Sequence, residues 1–159
     1  MNLTGMPSAT TSTKTVTNNS NNGFYPDVAI AEFIQHYAIA TQYGNTTGMP
    51  VQKLSLAITS VNKDLAFYFA TNWLESNTLA DVPGDVVNGE STLVTLYKHA
   101  VFSLAKSLLL ISTLGETHRD KGTVQALDRI DSEQHWLKQS NDAISQLMNC
   151  SKNLTVELI

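Results

Sequence analysis

The segment 93–114, LVTLYKHAVFSLAKSLLLISTL, is the most apolar part of this chain and limits what the rest can do. Leu93, Tyr97, Ala100, Val101, Leu104, Leu108 and Ile111 recur at spacings of three and four, the period of one helix face. Val94, Phe102, Ala105 and Leu109 widen that stripe to most of the circumference, so the helix needs cover from several sides. Its length would suffice for a bilayer core. Lys98, His99 and Lys106 lie inside it, however, and a central lysine costs roughly 3 kcal/mol on insertion scales. The reading is therefore the core helix of a bundle, spanning 90–114, with no membrane partner.

The twelve residues in front of it, LADVPGDVVNGE, form a turn rich in acid. Pro83 fixes its own φ and is expected to push Ala80 to Val82 towards extended geometry, while Gly84 and Gly89 permit angles that other residues avoid. Glu90 suits the positive end of a helix dipole and Ser91 is a candidate cap. Glu75, Asp81, Asp85 and Glu90 make an acidic run with no lysine or arginine between them. They are candidates to face a channel or a basic partner.

Elsewhere the pattern is also helical. Asp27 is a candidate N-cap for a short helix carrying Val28, Ile30, Ala31, Phe33, Ile34, Tyr37 and Ala38, ending near Tyr43-Gly44. Pro50 opens a second helix whose apolar positions are Val51, Leu54, Leu56, Ile58, Val61, Leu65, Phe69 and Trp73. Gly115 ends the apolar period, a charged loop follows to Gly122, and a last helix runs from Thr123 or Asp131 to Met148. Trp73, Trp136, Phe67, Phe69 and Tyr97 fall in these stripes and are read as core, with interface anchoring as the alternative. Arg129 and Glu133 stand four apart, as a surface pair would.

The ends differ from the middle. Residues 1–23 are dominated by Asn, Ser and Thr and bury too little to offset ordering entropy, so a disordered arm is expected. Residues 153–159, NLTVELI, alternate Leu154, Val156 and Leu158 with Thr155 and Glu157, the period of a strand. A strand alone in a helical chain has no partner of its own. Leu154, Val156, Leu158 and Ile159 are thus candidates for strand addition to a neighbouring subunit. The expected organisation is an arm (1–23), one mainly α bundle of about four helices (24–149) and an extended tail (150–159).

No constellation for chemistry survives inspection. His36, His99, His118 and His135 stand apart, with no pair at the i, i+4 spacing of a metal-binding helix, and no cofactor is expected. His118-Arg119-Asp120 matches a kinase catalytic loop only in letters, without the glycine loop or strand lysine that such a site needs. Cys150 is the single cysteine, which excludes an internal disulfide, and only Lys152 stands near it to activate a thiolate. No basic start or apolar run marks a leader at the first residues. Charged residues make up 15% of the chain against the usual 25% or so, a surface suited to oligomers. A net charge of −4 and scattered single lysines and arginines argue against a duplex-binding stripe.

The string Leu79-Ala80-Asp81-Val82-Pro83, then Asp85, Gly89-Glu90-Ser91, and then Tyr97, Ala100 and Val101 resembles the head completion proteins of temperate tailed myophages. The resemblance includes Phe24-Tyr25-Pro26-Asp27 ahead of a helix, and extends as pattern over the last helix and aliphatic tail. It implies a non-enzymatic virion protein, an adaptor ring beneath the portal, commonly of twelve subunits, that stabilises the DNA-filled head and presents a docking surface to the tail. The implied partners are the portal protein, a tail-proximal neck or tail terminator protein and other copies, with packaged DNA passing through without sequence-specific binding. Its implied place is the virion neck, after assembly in the host cytoplasm. The helix surfaces carry fewer charges than the family pattern, so no individual interface residue is carried over. The alternative is a helical, ring-forming packaging subunit that binds nucleic acid, like a small terminase subunit. It would need a basic helix-turn-helix.

Overall fold

The computed structural model describes residues 18–39, 48–117 and 123–152. In chain order these form β1 (Asn18–Asn19), β2 (Val28–Ala29), α1 (Ile30–His36), α2 (Met49–Asn72), a 3-10 turn (Leu79–Asp81), β3 (Val86–Val87), β4 (Glu90–Ser91), α3 (Thr92–Thr117) and α4 (Thr123–Lys152). The architecture is mainly α, with two ladders of two residues each: β1 antiparallel to β2, and β3 antiparallel to β4.

α3 is the central helix. Leu93, Val94, Tyr97, Ala100, Val101, Phe102, Ala105 and Leu109 are buried, as the wide stripe requires. It packs most extensively against α4 and next against α2. The 21 residues Thr92–Ser112, of mean hydropathy 1.3, would be long and apolar enough to cross a membrane, and half of a window there is buried inside the protein. The α3–α4 crossing is close because the facing residues are small. Ser140 Oγ donates to Ala100 O at 2.9 Å, with Ala143 buried one turn on. His99 and Gln139, Ala100 and Ser140, and Lys106 and Trp136 face one another, so the two helices run antiparallel.

Five boundaries differ from the sequence reading. The central helix begins at Thr92, because Glu90 and Ser91 are spent in β4, and it continues through Gly115 to Thr117. A helical glycine costs about 1 kcal/mol, which the long apolar run outweighs. Asp27 does not cap α1. Its carboxylate accepts the Asn21 N–H at 2.7 Å, and Ala29 stands at the cap without a side-chain bond. α1 stops at His36, short of Tyr43, in a Schellman arrangement: Ala38 takes φ +49° and Ile39 N–H donates to Ile34 O at 3.2 Å. The last helix starts at Thr123 and runs to Lys152, past Met148. Of Ala80 to Val82, expected to be extended ahead of Pro83, only Val82 is so, and Leu79–Asp81 turn as a 3-10 helix, because proline restricts only the residue directly before it.

Residues 18–23, at the end of the polar segment, lie within the packed structure. Asn21 donates its amide to Tyr97 Oη at 2.8 Å, Tyr97 donates to Asn62 Oδ1 at 2.6 Å, and Asn62 donates back to Asn21 Oδ1 at 2.8 Å. This closed triad ties the segment after β1 to α2 and α3. Tyr25 stacks on Tyr97 with ring centres 4.8 Å apart. Residues 1–17 and the tail 153–159, with Leu154, Val156, Leu158 and Ile159, lie outside the described residues.

Candidate assembly surfaces

α2 has two apolar faces, and only one is covered. Leu54, Ala57, Ile58, Val61, Leu65 and Tyr68 are buried. On the opposite side Leu56 is 51% exposed, Phe67 84% and, just past the helix end, Leu74 67%. Leu56, Ser60, Lys63, Phe67, Ala70 and Leu74 alternate four and three apart, one seam about 27 Å long. Lys63 is its only charge, with Asp64 beside it. Phe67 and Leu56, read from sequence as core, are on this seam. Phe67 lies two residues from Leu65, about 200° around the helix, and therefore faces away from the core. Both faces show helical period, so the pattern by itself does not say which is covered.

The acidic turn is more ordered than a solvated loop. The Asp81 carboxylate accepts the Thr78 backbone N–H at 3.0 Å and its hydroxyl at 2.7 Å, and Leu79 N–H donates to Phe24 O at 2.9 Å. Asp85 contributes its backbone carbonyl, which accepts the Thr92 N–H at 2.9 Å and locks the hairpin base to α3. Between β3 and β4, Asn88 (φ +53°) and Gly89 (φ +82°) make the type I′ turn that an Asn-Gly pair favours, a hairpin signal the sequence carried and the reading above missed. Val86 and Val87 stand 66% and 58% exposed beside it.

Glu90 is not without a cation. Lys98, eight residues on, reaches it at 3.1 Å and Glu32 of α1 at 3.6 Å. The geometry thus splits the run: Glu90 is paired, Asp81 caps, and the exposed Glu75 and Asp85 keep their carboxylates at the surface.

Close to the ion pairs of Lys98, Tyr37 at the end of α1 bonds α3 twice and meets Trp136 of α4 with ring centres 5.5 Å apart. Its hydroxyl shares a 2.6 Å bond with His99 Nδ1, and its carbonyl accepts from Lys106 Nζ. Burial raises the Tyr37 phenol above its ordinary pKa and lowers the Lys106 ammonium below its own. Lys106 lies 4.5 Å over the Trp136 ring. Together with Ala38, Ile39 and Leu109 these two line a cavity of about 310 Å³.

Among the described residues no three of His, Cys, Asp and Glu gather as a metal site would require. The Cys150 side chain and the His118-Arg119-Asp120 loop lie outside them, as does the Arg129 side chain.

Residues 19–159 match the family described as phage head completion protein (GPL). The protein called "Probable head completion/stabilization protein" in Haemophilus phage HP1 (strain HP1c1) is 32% identical over 134 residues, 80% of this chain and 83% of that relative. No solved structure matches the chain significantly.

Proposed function

This chain belongs to the phage head completion protein (GPL) family, a structural component associated with the virion, and on that premise we propose that it is an adaptor ring beneath the portal. In this reading the ring, of twelve copies, joins the portal after DNA packaging, stabilises the filled head and offers the surface on which a neck or tail terminator protein docks. Assembly takes place in the host cytoplasm and the finished protein sits in the neck. The work is mechanical and calls for no catalytic residue.

The observation that carries this reading is the uncovered seam of α2. Burying a Leu or Phe side chain is worth about 1.5–3 kcal/mol. Leu56 and Phe67 on α2, with Leu74 just past its end, therefore supply a substantial contact between copies before any polar term. The exposed carboxylates of the turn support a channel role by their sign. A negative wall repels phosphate and lets a duplex slide, whereas a basic wall would hold it by counterion release.

Phe67→Glu tests the proposal, because a side chain this exposed is not needed for the monomer to fold. The variant is expected to keep its helical circular dichroism, while phage made with it yield DNA-filled heads that leak or fail to join tails. Variant heads that retain DNA and join tails at the normal rate would overturn the seam as the contact. Tight duplex binding that weakens steeply with salt would instead favour the packaging-subunit alternative.

A further inference from the structure

Lys106 is a half-buried cation with no carboxylate partner among the described residues, where the only ion pairs are those of Lys98. Its ammonium donates to the Tyr37 carbonyl and lies over Trp136, which leaves it further donors at the wall of the 310 Å³ cavity. Among the described residues the rest of that wall is Ala38, Ile39, Leu109, Leu110 and Trp136, all apolar or aromatic, with the hydroxyl of Ser132, and none of them is acidic. Such a cavity suits a ligand of one chemistry: a carboxylate flanked by aliphatic side chains. Charge-assisted bonds from a desolvated ammonium are among the stronger polar contacts, and an unpaired one is costly.

The chain contains such a ligand outside the described residues. Segment 153–159 holds one charge, Glu157, with Val156 and Leu158 on either side. The segment ahead of β1 does not fit, since Lys14 is its one charge and has the wrong sign. A Glu157 of the same chain would have to run straight back along α4 at full extension, which favours the Glu157 of another copy. α4 runs from the cavity towards Lys152, and the sixteen residues beyond Trp136 rise about 24 Å. The five residues from Lys152 to Glu157 reach at most about 18 Å back, even fully extended. Resting on the reading that copies of this chain associate, we infer that the cavity at Lys106 and Trp136 receives residues 156–158 of a second copy, Glu157 pairing with Lys106 and an aliphatic neighbour meeting Trp136. The tail thereby links one subunit to the next at a place distinct from the α2 seam.

Carbodiimide coupling reads this contact directly, because it joins a carboxylate and an amine only when they touch. Full-length chains, half of them labelled with nitrogen-15, are mixed at a concentration where sedimentation shows association, then coupled and mapped by mass spectrometry. The expected product is an amide between Glu157 and Lys106 that joins a labelled chain to an unlabelled one, and Glu157→Gln abolishes it. Lys106→Arg is expected to keep the association and Lys106→Met, which retains the buried stem, to weaken it about tenfold. A Lys106–Glu157 amide confined to single chains would overturn the inference. So would association with cross-links elsewhere but none at Lys106, an outcome that leaves the ring reading intact. A chain that stays monomeric at every concentration would overturn both.

Discussion

Asn62 illustrates what a single residue can do that its neighbours in sequence do not announce. It sits in the middle of α2, where asparagine is a mediocre helix former. There it receives the Tyr97 hydroxyl and donates to Asn21, forty-one residues back. Replacing it by leucine leaves the Tyr97 O–H and the Asn21 carbonyl without these partners, and a buried polar group left unpaired costs about 1–3 kcal/mol. Asn62→Leu is therefore expected to lower stability by about 2 kcal/mol and Tm by about 6 °C, which calorimetry reads. A neutral result would mean that solvent reaches the triad freely. Tyr97 was legible as core from its place in the stripe, but neither its hydrogen bonds nor the two asparagines that satisfy it were. A stripe assigns a side chain to the inside and says nothing about its polar end.

The elements were more legible than their ends. The 3.6-residue period located all four helices, because a helix that buries one face must repeat at that spacing. Their boundaries depended on competing local bonds: Asp27 bound Asn21 and was not free to cap, and Ala38 supplied a left-handed stop that glycine more commonly provides. The α3–α4 crossing was legible only in retrospect, from Ala100, Ser140 and Ala143. Ala143→Leu adds three carbons where the backbones lie close, and overpacking of this kind costs about 1–3 kcal/mol. The expected result is a denaturation midpoint lowered accordingly, with helix content retained. A change under about 0.5 kcal/mol would show that the crossing relaxes without strain.

For the molecule as a whole, the buried phenols set an alkaline limit. Burial pushes Tyr25 up to about 12 and raises Tyr97 above its ordinary value as well. A tyrosine ordinarily titrates near 10. Below that pH both states are protonated and the stabilisation is complete. Above it the unfolded chain sheds protons that the folded one keeps, so stability falls as pH rises from about 10 to about 12. Lys106 acts with the opposite sign, since its lowered pKa makes stability rise with pH until the unfolded lysine has also titrated, near 10.5. Urea midpoints measured from pH 8 to 12 should thus decline steeply above 10. Tyr25→Phe should flatten that decline, and because the Tyr25 hydroxyl has no hydrogen-bond partner among the described residues, the variant should fold normally. An equally steep decline in Tyr25→Phe would assign the limit to other groups.

The sequence alone determined the order of helices, the central place of the apolar segment 93–114 and, through the string from Leu79 to Val101, the family. These follow from period, composition and identity, which are properties of neighbours along the chain. The tertiary structure decided which of α2's two apolar faces is covered, that Lys98 joins Glu32 to Glu90, and that Lys106 is left facing an apolar cavity. Covering a face or pairing a charge takes a second element, and which element arrives is fixed by contacts tens of residues apart. Periodicity tells which residues share a side of α2. Only packing tells which side meets the core.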